Sequence, residues 1–560
     1  DPDRVCLGGH SMGGNATWDL ASKYSGLFAC LVPKAGRSGD DDYENFRHLP
    51  ALIQHGAKDG SQPVDFGRYT VSRLQQLGFK VIYKEFPDDG HGIRNPFPVE
   101  EWFVDQRRPR SPEIITYTCD TTKTGEAYWT RIQGFIDPHR KASIDARVTG
   151  SADERTVRLR LSNVEVLELN LADLPADASE SLALSLGEQK IEIAAPLPTR
   201  TILALRNGKW KRQDSWEPST GAVRPYQPGG AGNLYEGEPL LIVFPTEGPA
   251  ETRRLMETAA RAIVLFGGYG GDMITGRVPI KADRHVTEAD IRNRNLILFG
   301  GPKFNAVTRQ IAGRLPVKVN DENQFVVEGH APTDVGKSSL ILTHPNPDAP
   351  RRLIHVIWQD EIPDAMRARF AMMARNRLPG ASGRYPHNVP DLQISSGELS
   401  VSIRRQFTHG WKLKPRDGVG RQQLERVRKE GVDVAKLRVM REKAGVEFAI
   451  GRGAGGWSAG NREAQDLDQF RYRNFRLTTF RANIKGEQLV KLFADPAMKR
   501  LISYPPIRGK ELEPEKAYSI AAPESILWSA KTIRLHWTDM IAGPDILKDD
   551  ILQAFYGAER

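Results

Sequence analysis

Three residues of this chain have the types and spacing for nucleophilic catalysis: Ser11, Asp59 and His91. Ser11 sits in Gly9-His10-Ser11-Met12-Gly13-Gly14, between the short apolar run Val5-Cys6-Leu7-Gly8 and a helical pattern that begins Asn15-Ala16-Thr17-Trp18. Strand, glycine-flanked serine, helix is the context of a nucleophile elbow. The sharp turn strains the backbone at the serine and lifts its hydroxyl over the sheet. Gly9 and Gly13 leave room where side chains collide, and the helix N-terminus aims N–H groups and positive dipole at the site. A hydroxyl needs a base to attack a carbonyl. His91, after the tight turn Pro87-Asp88-Asp89-Gly90, is read as that base, returning the proton to the leaving group. Asp59 is read as the group that fixes the tautomer of His91 and stabilises its cation, and the Met12 N–H as one oxyanion donor.

The surrounding pattern fits a parallel sheet that positions these groups. Val5–Gly8 reads as a strand, as do Leu27–Val32 (closed by Pro33), Ala51–Gly56 and Phe79–Phe86. Val64–Leu77 has helical periodicity, with Phe66, Tyr69 and Leu74 among its apolar positions. Ser11, Asp59 and His91 follow the C-terminal ends of three strands, where open parallel sheets place their sites, in the chain order serine, acid, histidine. Rivals exist. His10 is expected to bond locally, His55 ends a strand, and Asp65 is expected to be a first-turn charge of the helix. Asp88 and Asp89 are the alternatives to Asp59. The run Asp40-Asp41-Asp42 with Glu44 reads as a solvated loop.

These segments resemble the α/β-hydrolase superfamily, and within it the prolyl-oligopeptidase-like and feruloyl-esterase-like bacterial hydrolases. Asp1–Gly14, with Leu27-Phe28-Ala29 through Pro33 and Gly36, is similar to their nucleophile segment. His55-Gly56 with Asp59 is similar to their acid segment, and Gly90-His91-Gly92 to their histidine turn. The likeness covers residues 1–106, under a fifth of the chain. It implies strands ahead of the elbow that supply a second oxyanion donor, and none precede Val5. Residues 1–106 are therefore expected to be the C-terminal half of the catalytic domain, with the strand at Val5 central in the complete sheet. A partner chain, an associated cleaved fragment or an upstream segment is expected to complete it. A targeting signal upstream of Asp1, and with it a periplasmic or secreted location, is also expected.

Four-fifths of the chain lies beyond this unit. The basic stretch Gln106–Pro112 reads as a solvated linker. Residues 113–215 read as a small β-rich domain: Arg155–Leu161 alternates polar and apolar at period two, and Tyr128-Trp129 is expected to anchor its core. A Gly/Pro-rich linker over 216–236 leads to a second α/β domain over 237–388, with apolar strands at Pro239–Pro245, Asn295–Gly301 and Leu353–Trp358. Within it Gly267–Gly271 and Gly336-Lys337-Ser338 lack the flanking elements of phosphate-binding loops. Gly300-Gly301-Pro302 with Asn305 reads as a structural turn or a crevice, and His344-Pro345-Asn346-Pro347 as a loop. A mixed α+β domain is expected over 390–560, with a charged helix at Arg421–Glu430. There Gly451-Arg452-Gly453, Ile484–Leu489 and Leu512–Ala521 faintly resemble the C-terminal domain of periplasmic 5′-nucleotidases. Their metallophosphatase domain has no counterpart here, so the resemblance implies no nucleotidase chemistry.

Composition narrows the classes. Lys plus Arg number 79 against 70 acidic residues in 560, a net charge of +9 spread too widely to mark a nucleic-acid binder. No apolar run approaches the roughly 18–20 residues that span a bilayer. Three cysteines allow at most one internal disulfide. The scattered histidines show no metal-ligand spacing, and no cofactor is expected. The sequence thus points to a multidomain α/β chain acting as a serine hydrolase through an acyl-enzyme. Ester substrates, including polysaccharide-linked ones, are favoured over peptides. The alternative is a non-catalytic binding or assembly module with a degenerate hydrolase unit.

Overall fold

A computed structural model describes residues 1–38, 42–138, 140–150, 155–216, 234, 239–265, 278–360, 391–396, 401–408, 411–413, 432–452, 476–477, 479–494, 501–507, 512–523, 526, 538–543 and 546–547. Asp40, Asp41, most of the 216–236 linker, Gly267–Gly271, Arg421–Glu430 and Gly453 lie outside the described residues.

The first sheet has four strands: β1 (Cys6–His10), β2 (Cys30–Lys34), β3 (Ala51–Gly56) and β4 (Val81–Phe86). They lie in the order β1-β2-β3-β4, every pairing parallel. Helix α1 (Met12–Lys23) connects β1 to β2, and α2 (Val64–Gln76) connects β3 to β4. All six residues of β3 are buried, as a central parallel strand requires. Pro33 lies inside β2, opposite Gly9 of β1. It has no N–H to give to β3, and the β2–β3 register runs through Leu31 and Lys34. Within this chain β1 pairs with β2 along one side, and no strand among the described residues pairs with the other, the side on which the complete sheet is expected to continue.

Residues 114–213 form two five-stranded sheets around one core. Trp129 is fully buried in it, its indole N–H donating to the Pro112 carbonyl. Tyr128 instead turns towards the first unit, its hydroxyl donating to the Ser25 carbonyl and its ring edge meeting His48. The basic stretch between the two units is solvated in part, with Arg107, Arg110 and Ser111 exposed, and docked in part. Arg108 donates to Asp3 and to the Gly26 carbonyl, and Arg110 to Asp3. Asn45 bonds the Ser22 and Thr118 carbonyls, tying the units at a second point.

A seven-stranded sheet follows, in the order Ile280–Ala282, Leu240–Phe244, Asn295–Phe299, Ala349–Trp358, Ser338–Asn346, Leu392–Ser396, Val401–Arg405. The first four strands run parallel and the last three join antiparallel. Two strands beyond residue 390 therefore belong to this sheet, so a boundary at 388–390 does not coincide with its edge. His344-Pro345-Asn346, expected to be a loop, lies in a strand, and the His344 ring packs edge-on against Phe407 and Trp411.

The last region builds a five-stranded sheet from Leu501–Tyr504, Phe448–Arg452, Ala517–Pro523, Thr479–Lys485 and Thr538–Ala542. Its apolar face is not a separate core. Phe448, Ile450, Phe480, Ile484 and Leu489 share one cluster with Trp18, Phe46, Phe66, Tyr69 and Leu74. Helix α2 lies against Thr538–Ala542. Phe66, Tyr69 and Leu74, at helical spacing, thus bury their stripe under a sheet more than 350 residues away in sequence. Burial of each such side chain is worth about 1.5–3 kcal/mol. Among the described residues no helix is long and apolar enough to cross a membrane.

Candidate active site

Ser11 joins the end of β1 to the start of α1 with φ 58° and ψ −115°. That left-handed φ is uncommon for a residue with a Cβ and marks stored strain at the turn. The glycines around it are not equivalent. A Cβ on Gly9 would lie 2.4 Å from the Gly13 carbonyl oxygen, whereas one on Gly13 would meet open space. The crowding assigned to Gly13 from sequence falls on Gly14, whose Cβ would lie 2.6 Å from the Lys34 carbonyl oxygen. Gly9→Ala is expected to force the elbow open, costing about 1–3 kcal/mol of stability. Gly13→Ala should leave it nearly unchanged. Thermal melts of the two variants check this.

The acid and the histidine are brought together by two loops that touch. A Cβ on Gly56, the last residue of β3, would lie 2.1 Å from the Gly90 carbonyl oxygen, so only glycine lets the loops approach. The Lys58 N–H donates to the Asp89 carbonyl at 2.9 Å and fixes their spacing. In this frame His91 Nδ1 lies 2.9 Å from Asp59 Oδ2 and 3.1 Å from Oδ1, and Nε2 lies 2.8 Å from Ser11 Oγ. A carboxylate only accepts, so Nδ1 carries the proton and Nε2 accepts from the serine hydroxyl.

Asp59 is buried, its Oδ1 accepting from the Ser61 and Gln62 N–H groups at 2.7 and 2.9 Å. Burial by itself raises its pKa. Hydrogen bonds from His55, His91, Gln62 and Ser61 together outweigh that and lower it to about 2. An acid depressed from its usual value of about 4 stabilises the fold above that value and loses the contribution as pH falls through the folded-state pKa. The stability difference between the wild type and Asp59→Asn should therefore shrink as pH drops from about 4 to about 2. Urea midpoints across that window measure it.

The rivals are placed elsewhere. Asp88 is exposed and paired with Lys58, Asp89 is held by Arg94, and Asp65 by Arg68. His10 donates from Nε2 to the His91 carbonyl at 2.7 Å, and the two rings lie 4.9 Å apart. His55, set aside as a strand-end residue, is fully buried behind the acid. Its Nε2 lies 3.4 Å from Asp59 Oδ2 and 2.9 Å from the Gln62 carbonyl oxygen. Both neighbours only accept, so Nε2 carries the proton and braces Asp59 at Oδ2, the oxygen that His91 Nδ1 also meets. The spacing of four residues was visible in the sequence, but nothing there told a brace from a core histidine. Met12 opens α1, and a first-turn N–H has no acceptor within its own helix, so it is available to an oxyanion.

Outside this site, Asn305 is a helix cap. Its side chain accepts from the Val307 and Thr308 N–H groups and donates to the Phe299 carbonyl. Gly336-Lys337-Ser338 leads into the strand Ser338–Asn346. Among the described residues no group of three or more His, Cys, Asp and Glu side chains is arranged to hold a metal ion.

No protein family's sequence profile matches the chain. It is similar to an uncharacterized secreted protein of Arthroderma benhamiae, 22% identical over 403 residues, which are 65% of this chain and 42% of that protein. It is also similar to acyl-protein thioesterase 1 of Gibberella zeae, 30% identical over 98 residues, 16% of this chain and 42% of that protein. The chain thus spans about two fifths of the length of these curated relatives. Both are fungal, whereas the resemblance drawn from the sequence named bacterial hydrolases. Among solved structures it is similar to a thermostable esterase, with 27% identity, 19% of this chain and 32% of that one covered, and a TM-score of 0.18. It is similar as well to Arabidopsis thaliana SOBER1, with 23% identity, coverage of 17% and 47%, and a TM-score of 0.16. The acylaminoacyl peptidase of Pyrococcus horikoshii shows 23% identity, coverage of 16% and 20%, and a TM-score of 0.15.

Proposed function

We propose that this chain carries the nucleophile, base and acid of a serine hydrolase acting on carboxylic esters. The observation that carries the reading is the continuous line from Ser11 Oγ through His91 to Asp59, at 2.8 and 2.9 Å. His91 Nε2 takes the Ser11 proton as Oγ attacks the carbonyl carbon. The Met12 N–H stabilises the oxyanion, and the imidazolium, held by Asp59, protonates the leaving alcohol. Water then attacks the acyl-enzyme with the same histidine as base. The ester preference is supported by the thioesterase relative, and a secreted setting by the Arthroderma relative. Peptide substrates are the alternative within the same mechanism. A degenerate binding module is disfavoured, because its three groups need not lie within hydrogen-bond reach.

The reading includes further strands along the open side of β1, supplying a second oxyanion donor next to Ser11, and units divided near residues 106 and 215. Fluorophosphonate labelling of the assembled protein, followed by peptide mapping, tests the reading. An adduct on Ser11 that disappears after acid unfolding before exposure to the probe supports it. Absence of an adduct from the folded wild type overturns it.

A further inference from the structure

We infer that Cys6 and Cys30 are a cross-linking site: a disulfide that ties strand β1 to its neighbour β2. Two independent features place the pair. The parallel register sets Cys6 directly opposite Cys30 at the first step of the β1–β2 ladder. The two side chains lie on one face, sulfur against sulfur, with the Cys30 thiol directed at Cys6 Sγ. Directly paired positions on adjacent strands bring Cα atoms within the range that a disulfide spans. The third cysteine, Cys119, is buried in the β-rich unit on the strand Ile114–Cys119, so it does not compete.

The position gives the link a purpose. Among the described strands β1 has a ladder on one side only, and it leads directly into the strained turn at Ser11. The link closes a loop over residues 6–30 that contains the whole elbow and α1. A cross-link there restricts the open chain and keeps β1 from peeling away with Ser11 on it.

The chemistry balances with a small-molecule disulfide as oxidant. Cys6 is partly exposed, whereas Cys30 is buried and its thiol is pushed up by that burial and by the neighbouring sulfur. Cys6 is therefore the entry point. Its thiolate attacks one sulfur of the oxidant, forming a mixed disulfide and releasing one thiolate. Cys30, deprotonated as it attacks, displaces the second thiolate from Cys6 sulfur. The two electrons of the cysteine pair reduce the oxidant, and the two protons leave on its two thiols.

The test uses the full chain incubated with oxidised glutathione at pH 8, then unfolded in iodoacetamide without reductant. The expected result is one alkylated cysteine, Cys119, and a peptide pair joined through Cys6 and Cys30 whose mass is two hydrogen atoms below the sum. The thermal midpoint of the oxidised wild type should fall by several degrees on adding a phosphine reductant, while that of Cys6→Ser is insensitive to it. Alkylation of all three cysteines, a link to Cys119, or equal reductant sensitivity in Cys6→Ser overturns the assignment. None of these readouts depends on hydrolysis, so the cross-link stands or falls separately from the proposed activity.

Discussion

Ser11→Ala is expected to lower ester hydrolysis roughly 10⁴-fold or more and to abolish fluorophosphonate labelling, with little change in thermal midpoint. The hydroxyl is the only group removed, and it makes one hydrogen bond, to His91 Nε2 at 2.8 Å. Its loss leaves no buried carboxylate uncompensated, because Asp59 keeps its bonds from His91, Ser61 and Gln62. Asp59→Asn should lose activity by about 10⁴-fold for a different reason. An amide donates as well as accepts, so it no longer selects the His91 tautomer with the proton on Nδ1, and Nε2 ceases to be a base. Because the three groups act as one unit, the double variant should be little worse than the more damaged single variant. Initial rates on an activated ester, normalised to folded protein by circular dichroism, measure all three. Retention of more than a tenth of wild-type activity by Ser11→Ala would remove Ser11 from the reaction.

The largest expected effect on stability comes from Phe480→Ala. Phe480 is fully buried in the strand Thr479–Lys485, and its cluster includes Trp18, Phe46 and Phe66 of the first unit. Truncating a buried phenylalanine costs about 3–5 kcal/mol, through lost transfer free energy and an unfilled cavity. The informative readout is where that cost appears. If both sheets stabilise each other across one core, backbone amides of β3 lose hydrogen-exchange protection together with those of Thr479–Lys485. Loss confined to Thr479–Lys485 would mean that the two sheets open independently.

Much of the first unit was legible in residue order. Ala51–Gly56 is an apolar run because a central parallel strand is buried on both faces, and the structure places β3 on those residues. Val64–Leu77 announced a helix through a 3.6-residue stripe, and α2 occupies Val64–Gln76. The elbow was legible because the close approach of β1 and α1 around the serine demands glycine at Gly9. Thr287 caps the helix Glu288–Asn293 by the same local logic, its side-chain oxygen accepting from the Asp290 N–H.

Tertiary structure decided what those local rules leave degenerate. Asp59, Asp88 and Asp89 are one residue type within 31 positions, and only the contact between two loops sends Asp59 to His91 while Lys58 and Arg94 take the others. Crowding at Gly14 rather than Gly13 depends on a carbonyl of β2, a neighbour that no local spacing encodes. The place of β1 at the end of the described strands is a property of which strands pair, and the strands at Leu392 and Val401 joined the preceding sheet by the same kind of long-range pairing. The cover over α2 comes from a segment that begins beyond residue 440. A hydrophobic stripe states that a face is buried but carries no information about its partner, because apolar burial is non-directional and any complementary apolar face satisfies it.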